Sequence, residues 1–216
     1  MFLLRAEFPG PMAAKLVPRM RQSAKLLYEI YIVMTLAQIL LLCIGGVPLF
    51  DSLNLSLCTV STGGFAIRND SMASYSTYAQ NITLIFMTLG SMSFSLFYCI
   101  VAREFLRVRR SRELRTFLLL IIGVSLLMGL DTAWKFASFG EGLRHTLFQV
   151  MSIISTTCYV SIDAEFWSPF VWAMLTVLMI TGPMSGSTGG GMKISRVMIF
   201  TKSTYRAIAK TVTPNS

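Results

Sequence analysis

Two short apolar runs, each followed by a stretch rich in serine and threonine, constrain the fold of this chain more than any other feature. The runs are residues 49–60 and 143–154, and the second lies 94 residues after the first. A helix of twelve residues is about 18 Å long, whereas the hydrocarbon core of a bilayer is about 30 Å thick. Such a helix must enter and turn back. Its polar continuation is tolerated only where it is buried in protein or lines an aqueous cavity.

Longer apolar runs flank both short ones. Residues 26–44 and 79–102 flank the first short run, and residues 116–134 and 169–200 flank the second. At about 1.5 Å per residue, each long run could cross a bilayer as a helix. The sequence therefore predicts an all-α membrane protein with two tandem repeats. Each repeat consists of a crossing helix, a short pore helix with its loop, and a second crossing helix.

Composition supports the membrane assignment, and the charges give an orientation. The chain is 54% hydrophobic and 13% charged, whereas a soluble domain carries about 25% charged residues. Sixteen of the 19 Lys and Arg residues fall into three clusters within residues 5–25, 103–115 and 193–210. Each cluster adjoins an apolar run, so the positive-inside rule places all three in the cytoplasm. Binding of nucleic acid, which a net charge of +9 could also indicate, is a minor alternative.

The segments on the opposite side, residues 45–78 and 131–168, are acidic. Their six acidic residues are Asp51, Asp70, Asp131, Glu141, Asp163 and Glu165, against Arg68, Lys135 and Arg144. An outer face with this balance concentrates cations. Within it, His145 is interpreted as solvated or interfacial, and Asp131 is expected to pair with Lys135.

Three parts of the chain follow from these patterns. Residues 1–24 form a cytoplasmic lead-in, in which three prolines argue against one continuous helix. Residues 25–114 form the first repeat, with a candidate filter at 61–65. Residues 115–216 form the second repeat, with a candidate filter at 155–159 and an intramembrane loop at 182–192.

The two Ser-Thr-rich stretches are the candidate ion-binding residues. They are Ser61, Thr62, Gly63, Gly64 and Phe65 in the first repeat, and Ser155, Thr156, Thr157, Cys158 and Tyr159 in the second. A cation that sheds its water needs replacement oxygens, which backbone carbonyls supply in potassium channels. The negative C-terminal dipole of a short helix would favour the cation further. A single copy could equally be an ordinary glycine turn, but the duplication favours a potassium-channel-like filter.

A glycine-rich segment interrupts the last apolar run. Its candidate gating residues are Gly182, Ser185, Gly186, Ser187, Thr188, Gly189, Gly190, Gly191 and Lys193. A nucleotide-binding P-loop is excluded, because Met192 separates Gly191 from Lys193 and Ile194 replaces the required Ser or Thr. Close packing of helices through small residues is an alternative. However, Pro183 and three consecutive glycines should break a helix, and broken membrane helices line permeation paths.

These three motifs, in this order, resemble the Trk/Ktr/HKT superfamily of potassium transporters, and most closely the membrane subunit of bacterial Trk systems. The resemblance covers essentially the whole chain and implies the second and third of four repeats around one pore. It implies potassium as the transported substrate, no covalently bound cofactor, and a gating loop at 182–192. It further implies a bacterial inner-membrane location among lipid, a homodimer, a cytosolic nucleotide-binding regulatory subunit, and the remaining repeats of a parent protein.

One residue departs from the family pattern, and two other functions remain open. The family favours glycine at the fourth filter position, where this chain has Cys158, whose side chain restricts positive φ. A cation transporter that also passes sodium is therefore an alternative. A membrane anchor or assembly module that conducts nothing is another. A membrane enzyme is the weakest hypothesis, because the sequence shows no nucleophile, acid–base pair or metal-binding cluster.

Overall fold

The computed structural model describes residues 20–101, 103–136 and 138–212. Most of the expected cytoplasmic lead-in, residues 1–19, lies outside this part of the chain. Helix α1 spans Met20–Ile44, and its Leu27–Ile44 portion is long and apolar enough to cross a membrane. Gly46, with a φ of +79°, lies in the turn after it. Helix α2 spans Leu49–Val60, the same twelve residues as the predicted short helix.

The second long run of the first repeat is bent, which corrects the prediction of one uninterrupted helix. Helix α3, Thr77–Ser91, and helix α4, Phe94–Val101, meet at an angle of 97°. Neither Pro nor Gly occupies the break at Met92 and Ser93. Its cause is tertiary, because backbone groups on both sides of the break form hydrogen bonds with residues 184–188. Insertion of another segment into the hydrogen-bond ladder is a recognised cause of sharp kinks.

The second repeat follows a short basic helix, α5, Phe105–Arg110. Helix α6, Arg112–Thr132, continues as a 3-10 turn to Lys135 and is the second helix suited to crossing a membrane. It runs across the expected repeat boundary at 114/115. The fourth apolar run forms two helices, α8, Pro169–Ile180, and α9, Ile194–Val212. Residues 181–193 between them are not helical.

The second short helix, α7, spans Phe139–Ile154 and is longer than predicted. The sequence indicated a start at Leu143, after a polar turn over residues 131–142. In the structure Gly142 lies inside the helix, where the ring of Phe136 packs so closely that an added Cβ would lie 2.9 Å from its Cδ2. Sixteen residues still measure only about 24 Å, less than the thickness of a bilayer core.

Buried side chains join the two repeats. Phe148 of α7 and Tyr159 share one apolar cluster with Leu55 of α2 and Met87 of α3. A larger cluster packs α6, α7 and α8 together. The outer faces of α1 and α6 expose large apolar side chains, including Val33, Leu40, Leu119 and Leu130. Extensive exposed apolar surface on crossing-length helices is the surface that lipid covers.

Candidate cation filter and its loop

The first filter stretch folds back onto the end of α2. The backbone N–H groups of residues 61–64 donate to carbonyl oxygens of residues 57–59, at 2.7–3.5 Å. Gly63 and Gly64 both donate to the carbonyl of Cys58. These bonds satisfy carbonyls that a helix C-terminus otherwise leaves unpaired. They also turn the N–H groups of the stretch towards the helix.

The second stretch repeats this arrangement at the end of α7. The N–H groups of residues 155–158 donate to carbonyl oxygens of residues 151–153, at 2.8–3.1 Å. Thr157 and Cys158 share the carbonyl of Ser152. Each of these bonds is the counterpart of one in the first stretch, 94 residues further along. The sequence repeat is therefore also a repeat of backbone hydrogen bonding.

The inner carbonyl oxygens of both stretches differ from the carbonyl at the fifth position of each stretch. The Phe65 carbonyl accepts a hydrogen bond from the Tyr159 hydroxyl at 3.3 Å. The Tyr159 carbonyl accepts one from the Ser152 hydroxyl at 2.6 Å. Within the described residues, no protein donor reaches the six inner carbonyls, which belong to Thr62, Gly63, Gly64, Thr156, Thr157 and Cys158. Backbone carbonyls without a protein partner are satisfied by water or a ligand.

Left-handed backbone conformations recur at the second and fourth positions of both stretches. The φ angles are 56° at Thr62 and 72° at Gly64, and 63° at Thr156 and 61° at Cys158. Cys158 therefore adopts the conformation of the glycine it replaces, despite its side chain. A non-glycine residue in this region costs about 1–2 kcal/mol. Strain of this kind is typical of functional sites.

The structure brings the two stretches into contact with one another. A Cβ added to Gly64 would lie 1.8 Å from the carbonyl oxygen of Thr157. The hydroxyl of Tyr159 reaches across to the carbonyl of Phe65. Tyr159 is fully buried, whereas Phe65, at the equivalent position, is 77% exposed. The C-terminal ends of α2 and α7, each carrying about half a negative charge, flank this contact.

Several charged residues of segments 45–78 and 131–168 have specific partners. Asp51 accepts a hydrogen bond from the hydroxyl of Tyr75 at 2.8 Å and lies 3.8 Å from Arg68. Burial and then this bond to Asp51 raise the pKa of Tyr75 to about 12. The expected pairing of Asp131 with Lys135 is wrong for this structure. Asp131 accepts from Ser168, and the Lys135 ammonium donates to a backbone carbonyl at 2.7 Å.

The glycine-rich loop lies against the second filter stretch. The N–H of Gly190 donates to the Thr156 hydroxyl at 2.9 Å. A Cβ added to Gly189 would lie 2.8 Å from the carbonyl oxygen of Ser155. The Lys193 ammonium folds back onto the loop, where the Gly189 carbonyl and the Ser187 hydroxyl accept from it. Of the predicted gating residues, Gly189 and Gly190 thus approach the second candidate filter stretch most closely.

The other side of the loop occupies the break between α3 and α4. The Phe94 N–H donates to the Gly186 carbonyl at 3.0 Å, and the Thr188 hydroxyl donates to the Gly90 carbonyl at 3.0 Å. The Met184 N–H donates to the carbonyl of Ser91 at 3.1 Å. Gly186 has a φ of +73°, which glycine adopts without steric cost. The loop therefore lies between the bent helix of the first repeat and the candidate filter stretch of the second.

Sequence reasoning missed Glu113, which contacts the loop. Its Oε1 accepts a hydrogen bond from the Ser185 N–H at 2.6 Å. Glu113 lies among arginines in the first turn of α6, where an acidic residue is ordinarily explained by the helix dipole. The 72 residues between the two partners carry no signal that would join them.

His145 is buried, which corrects its interpretation as solvated or interfacial. Arg144 donates to the Gln80 side chain and to His145 Nε2, both at 2.7 Å. Because Nε2 accepts this bond, Nδ1 is assigned the imidazole proton and donates to the Ser161 hydroxyl at 3.1 Å. The Phe136 ring stacks on the imidazole, with centroids 5.5 Å apart. Burial, and secondly the Arg144 charge, lower the pKa of His145 to about 4.

Comparisons with known proteins agree with this geometry. The family model for TrkH, described as a cation transport protein, matches residues 1–216. The Trk system potassium uptake protein TrkH of Halomonas elongata is 32% identical over 221 residues, which cover 100% of this chain and 46% of that protein. The TrkH of Escherichia coli strain K12 is 29% identical, again over 46% of its length.

A solved structure is similar as well. The crystal structure of the potassium transporter TrkH from Vibrio parahaemolyticus matches with a TM-score of 0.86 at 26% identity. The match covers 93% of this chain and 44% of that one. The predicted architecture, an all-α membrane protein with pore-loop repeats, is thereby confirmed. The chain spans less than half the length of the relatives it matches.

Proposed function

Because the chain belongs to the TrkH family of cation transport proteins, we propose that it supplies two repeats of a potassium-uptake pore. The observation that carries the proposal is the set of six inner carbonyl oxygens that accept no hydrogen bond from any residue in the described part of the chain. They lie on two stretches of repeated backbone geometry that contact each other. Relatives that share this architecture are named as Trk system potassium uptake proteins.

In this proposal the filter works by replacing the hydration shell of the ion. Potassium gives up water at the outer mouth and is coordinated by the carbonyls of residues 62–64 and 156–158. The N–H groups of these residues are already held by α2 and α7, so the oxygens need little rearrangement to accept the ion. The helix C-termini and the acidic outer segments add a favourable field for a cation.

The glycine-rich loop, residues 182–192, is the proposed gate, together with the adjoining Lys193. Its contacts with Thr156 and the Ser155 backbone hold it against the inner end of the second filter stretch. A loop in this position obstructs the path to the cytoplasm and must move before ions pass. Its glycines permit a hinge, because they adopt φ angles of either sign at no steric cost.

Potassium is the proposed substrate. Whether sodium is a second permeant ion depends on the geometry at Cys158. Cys158 adopts a φ of 61°, close to the 72° of Gly64, so both stretches offer similar backbone geometry. This supports a potassium-type filter. Sodium passes as well if strain from the Cys158 side chain shifts the local carbonyl oxygens, and the ratio of rubidium to sodium uptake tests this.

Two repeats provide only part of a closed pore. We propose that further repeats, from the same polypeptide or from a second copy, complete it within the bacterial inner membrane, with the basic clusters in the cytoplasm. A homodimeric assembly and a cytosolic nucleotide-binding regulatory subunit belong to the same proposal. The name "Trk system", borne by the relatives, indicates a membrane component of a larger assembly.

The test is rubidium uptake by cells that lack their own potassium transporters and express the assembled protein. Wild type should restore uptake, and Gly64→Asp should abolish it while the protein remains in the membrane. Uptake that survives Gly64→Asp would contradict the filter assignment. A wild-type protein that inserts and assembles but carries no rubidium would favour an anchoring module without permeation.

A further inference from the structure

One loop contact differs in kind from all the others. Glu113 Oε1 accepts the backbone N–H of Ser185 at 2.6 Å, and the carboxylate is partly buried. Among the described residues, no other acidic side chain from outside the loop accepts a hydrogen bond from the loop backbone. Neither the filter stretches nor the glycine-rich motif includes Glu113.

The remaining hydrogen bonds between the loop and other elements join uncharged groups. Met184, Gly186 and Thr188 exchange hydrogen bonds with backbone groups at the break between α3 and α4. Gly190 donates to the Thr156 hydroxyl. A hydrogen bond with an ionised partner is about twice as strong as a neutral one. When Glu113 is ionised, we therefore expect its bond to be the strongest single hydrogen bond between the loop and another element.

The position of Glu113 gives this restraint a fixed base. It is the second residue of α6, whose first turn is capped by Ser111 through the Leu114 N–H at 3.3 Å. The carboxylate is thus held at the junction between the arginine-rich cytoplasmic segment and a membrane-crossing helix. Ser185 lies at the start of the loop, ahead of the residues that contact the filter.

We propose that Glu113 is the positioning residue that holds the glycine-rich loop in its closed position against the filter, an inference that rests on the proposed transport function. Ionised Glu113 restrains the loop at Ser185, and the loop in turn keeps Gly189 and Gly190 against residues 155–156. Release of this bond leaves only the neutral contacts, so the open position becomes more populated. The filter itself is untouched by this change.

The proposal predicts more flux when Glu113 is altered, whereas a purely structural role predicts less. Glu113→Ala removes both charge and acceptor, and a lost hydrogen bond to a charged group should shift the balance of closed and open states about tenfold or more. Glu113→Gln keeps an acceptor oxygen without the charge, so its flux should fall between those of wild type and Glu113→Ala. The ratio of potassium to sodium flux should stay the same.

The experiment measures basal rubidium flux through the assembled transporter in proteoliposomes, with no regulatory protein present. Glu104→Gln is the matched control, because Glu104 also lies on the cytoplasmic side but pairs with Arg107 at 2.5 Å and not with the loop. Flux should be highest for Glu113→Ala, intermediate for Glu113→Gln, and lowest and equal for wild type and Glu104→Gln. Size-exclusion profiles establish that each variant is assembled.

The outcomes separate the two proposals. A wild-type protein that conducts nothing overturns the transport function. A conducting wild type, with assembled Glu113 variants at or below its basal flux, overturns the role of Glu113 alone. An equal rise in Glu104→Gln also overturns it, because the effect would then belong to any cytoplasmic carboxylate. If Glu113→Ala fails to assemble, the flux of Glu113→Gln decides.

Discussion

Replacement of Gly64 by alanine tests the contact between the two filter stretches. A Cβ at this position would lie 1.8 Å from the Thr157 carbonyl oxygen and 2.9 Å from its carbon. Both obstacles are backbone atoms, which cannot turn aside as a side chain can. The gap must widen from 1.8 Å to at least 3.0 Å before alanine fits. The oxygen that is displaced is one of the proposed ion ligands.

Gly46→Ala is the matched control for the conformational part of the effect. Gly46 has a φ of +79°, close to the 72° of Gly64, but an added Cβ there meets nothing within 4 Å. Alanine in a left-handed conformation costs about 1–2 kcal/mol at either site. Forcing a methyl group into packed backbone adds about 1–3 kcal/mol at Gly64 alone.

The assay compares rubidium uptake and thermal unfolding for the two variants. Both should lose stability, and Gly64→Ala should lose more. Gly46→Ala should retain most of its uptake, whereas Gly64→Ala should fall at least about tenfold, because displacing a ligand by about 1 Å is enough to disable a preorganised site. Equal uptake in the two variants would refute both the close contact and the assignment of the Thr157 carbonyl to the filter.

Three further predictions concern residues at or near the filter. Cys158→Gly should raise the free energy of unfolding by up to about 1 kcal/mol, since it removes left-handed strain, and rubidium uptake should be kept. A loss of both stability and uptake would contradict the claim that Cys158 is strained. Tyr159→Phe should cost about 0.5–1.5 kcal/mol, because the Phe65 carbonyl loses its donor, and should lower the ratio of rubidium to sodium uptake more than total flux. The lowered pKa of His145, about 4, means that the unfolded state binds its proton more readily. Stability should therefore be full above pH 6.5 and fall as the pH drops from 6.5 towards 4, as thermal unfolding at pH 7 and 5 would show, and His145→Gln should flatten this dependence.

The parts of the fold that follow from length and repetition were predictable. The bounds of α2 coincide with the apolar run 49–60, because Pro48 precedes it and the Ser-Thr-Gly stretch ends it. The start of α7 was misplaced, because residues 131–142 were interpreted as a polar turn that ends at Gly142. Here Gly142 is instead a point of close approach for Phe136. Local sequence cannot distinguish these two uses of glycine.

The parts that depend on distant partners were not predictable. The 97° bend between α3 and α4 contains no Pro or Gly, and its hydrogen bonds come from residues almost 100 positions away. Glu113 resembles any acidic residue at a helix N-terminus until the Ser185 N–H is placed beside it. The left-handed φ of Cys158 is likewise imposed by its neighbours, against the preference of its side chain.

The contact between the filter stretches has a direction, and this limits how such repeats can associate. Tyr159 of the second repeat is buried against the first, whereas its counterpart Phe65 is 77% exposed. The two partners thus offer different surfaces, which makes the contact heterologous, unlike the self-complementary contact of a twofold dimer. Heterologous contacts either close into a ring or continue without end. In an open row of such repeats, the aromatic side chain at one end always stays exposed. It becomes buried only when the row closes into a ring.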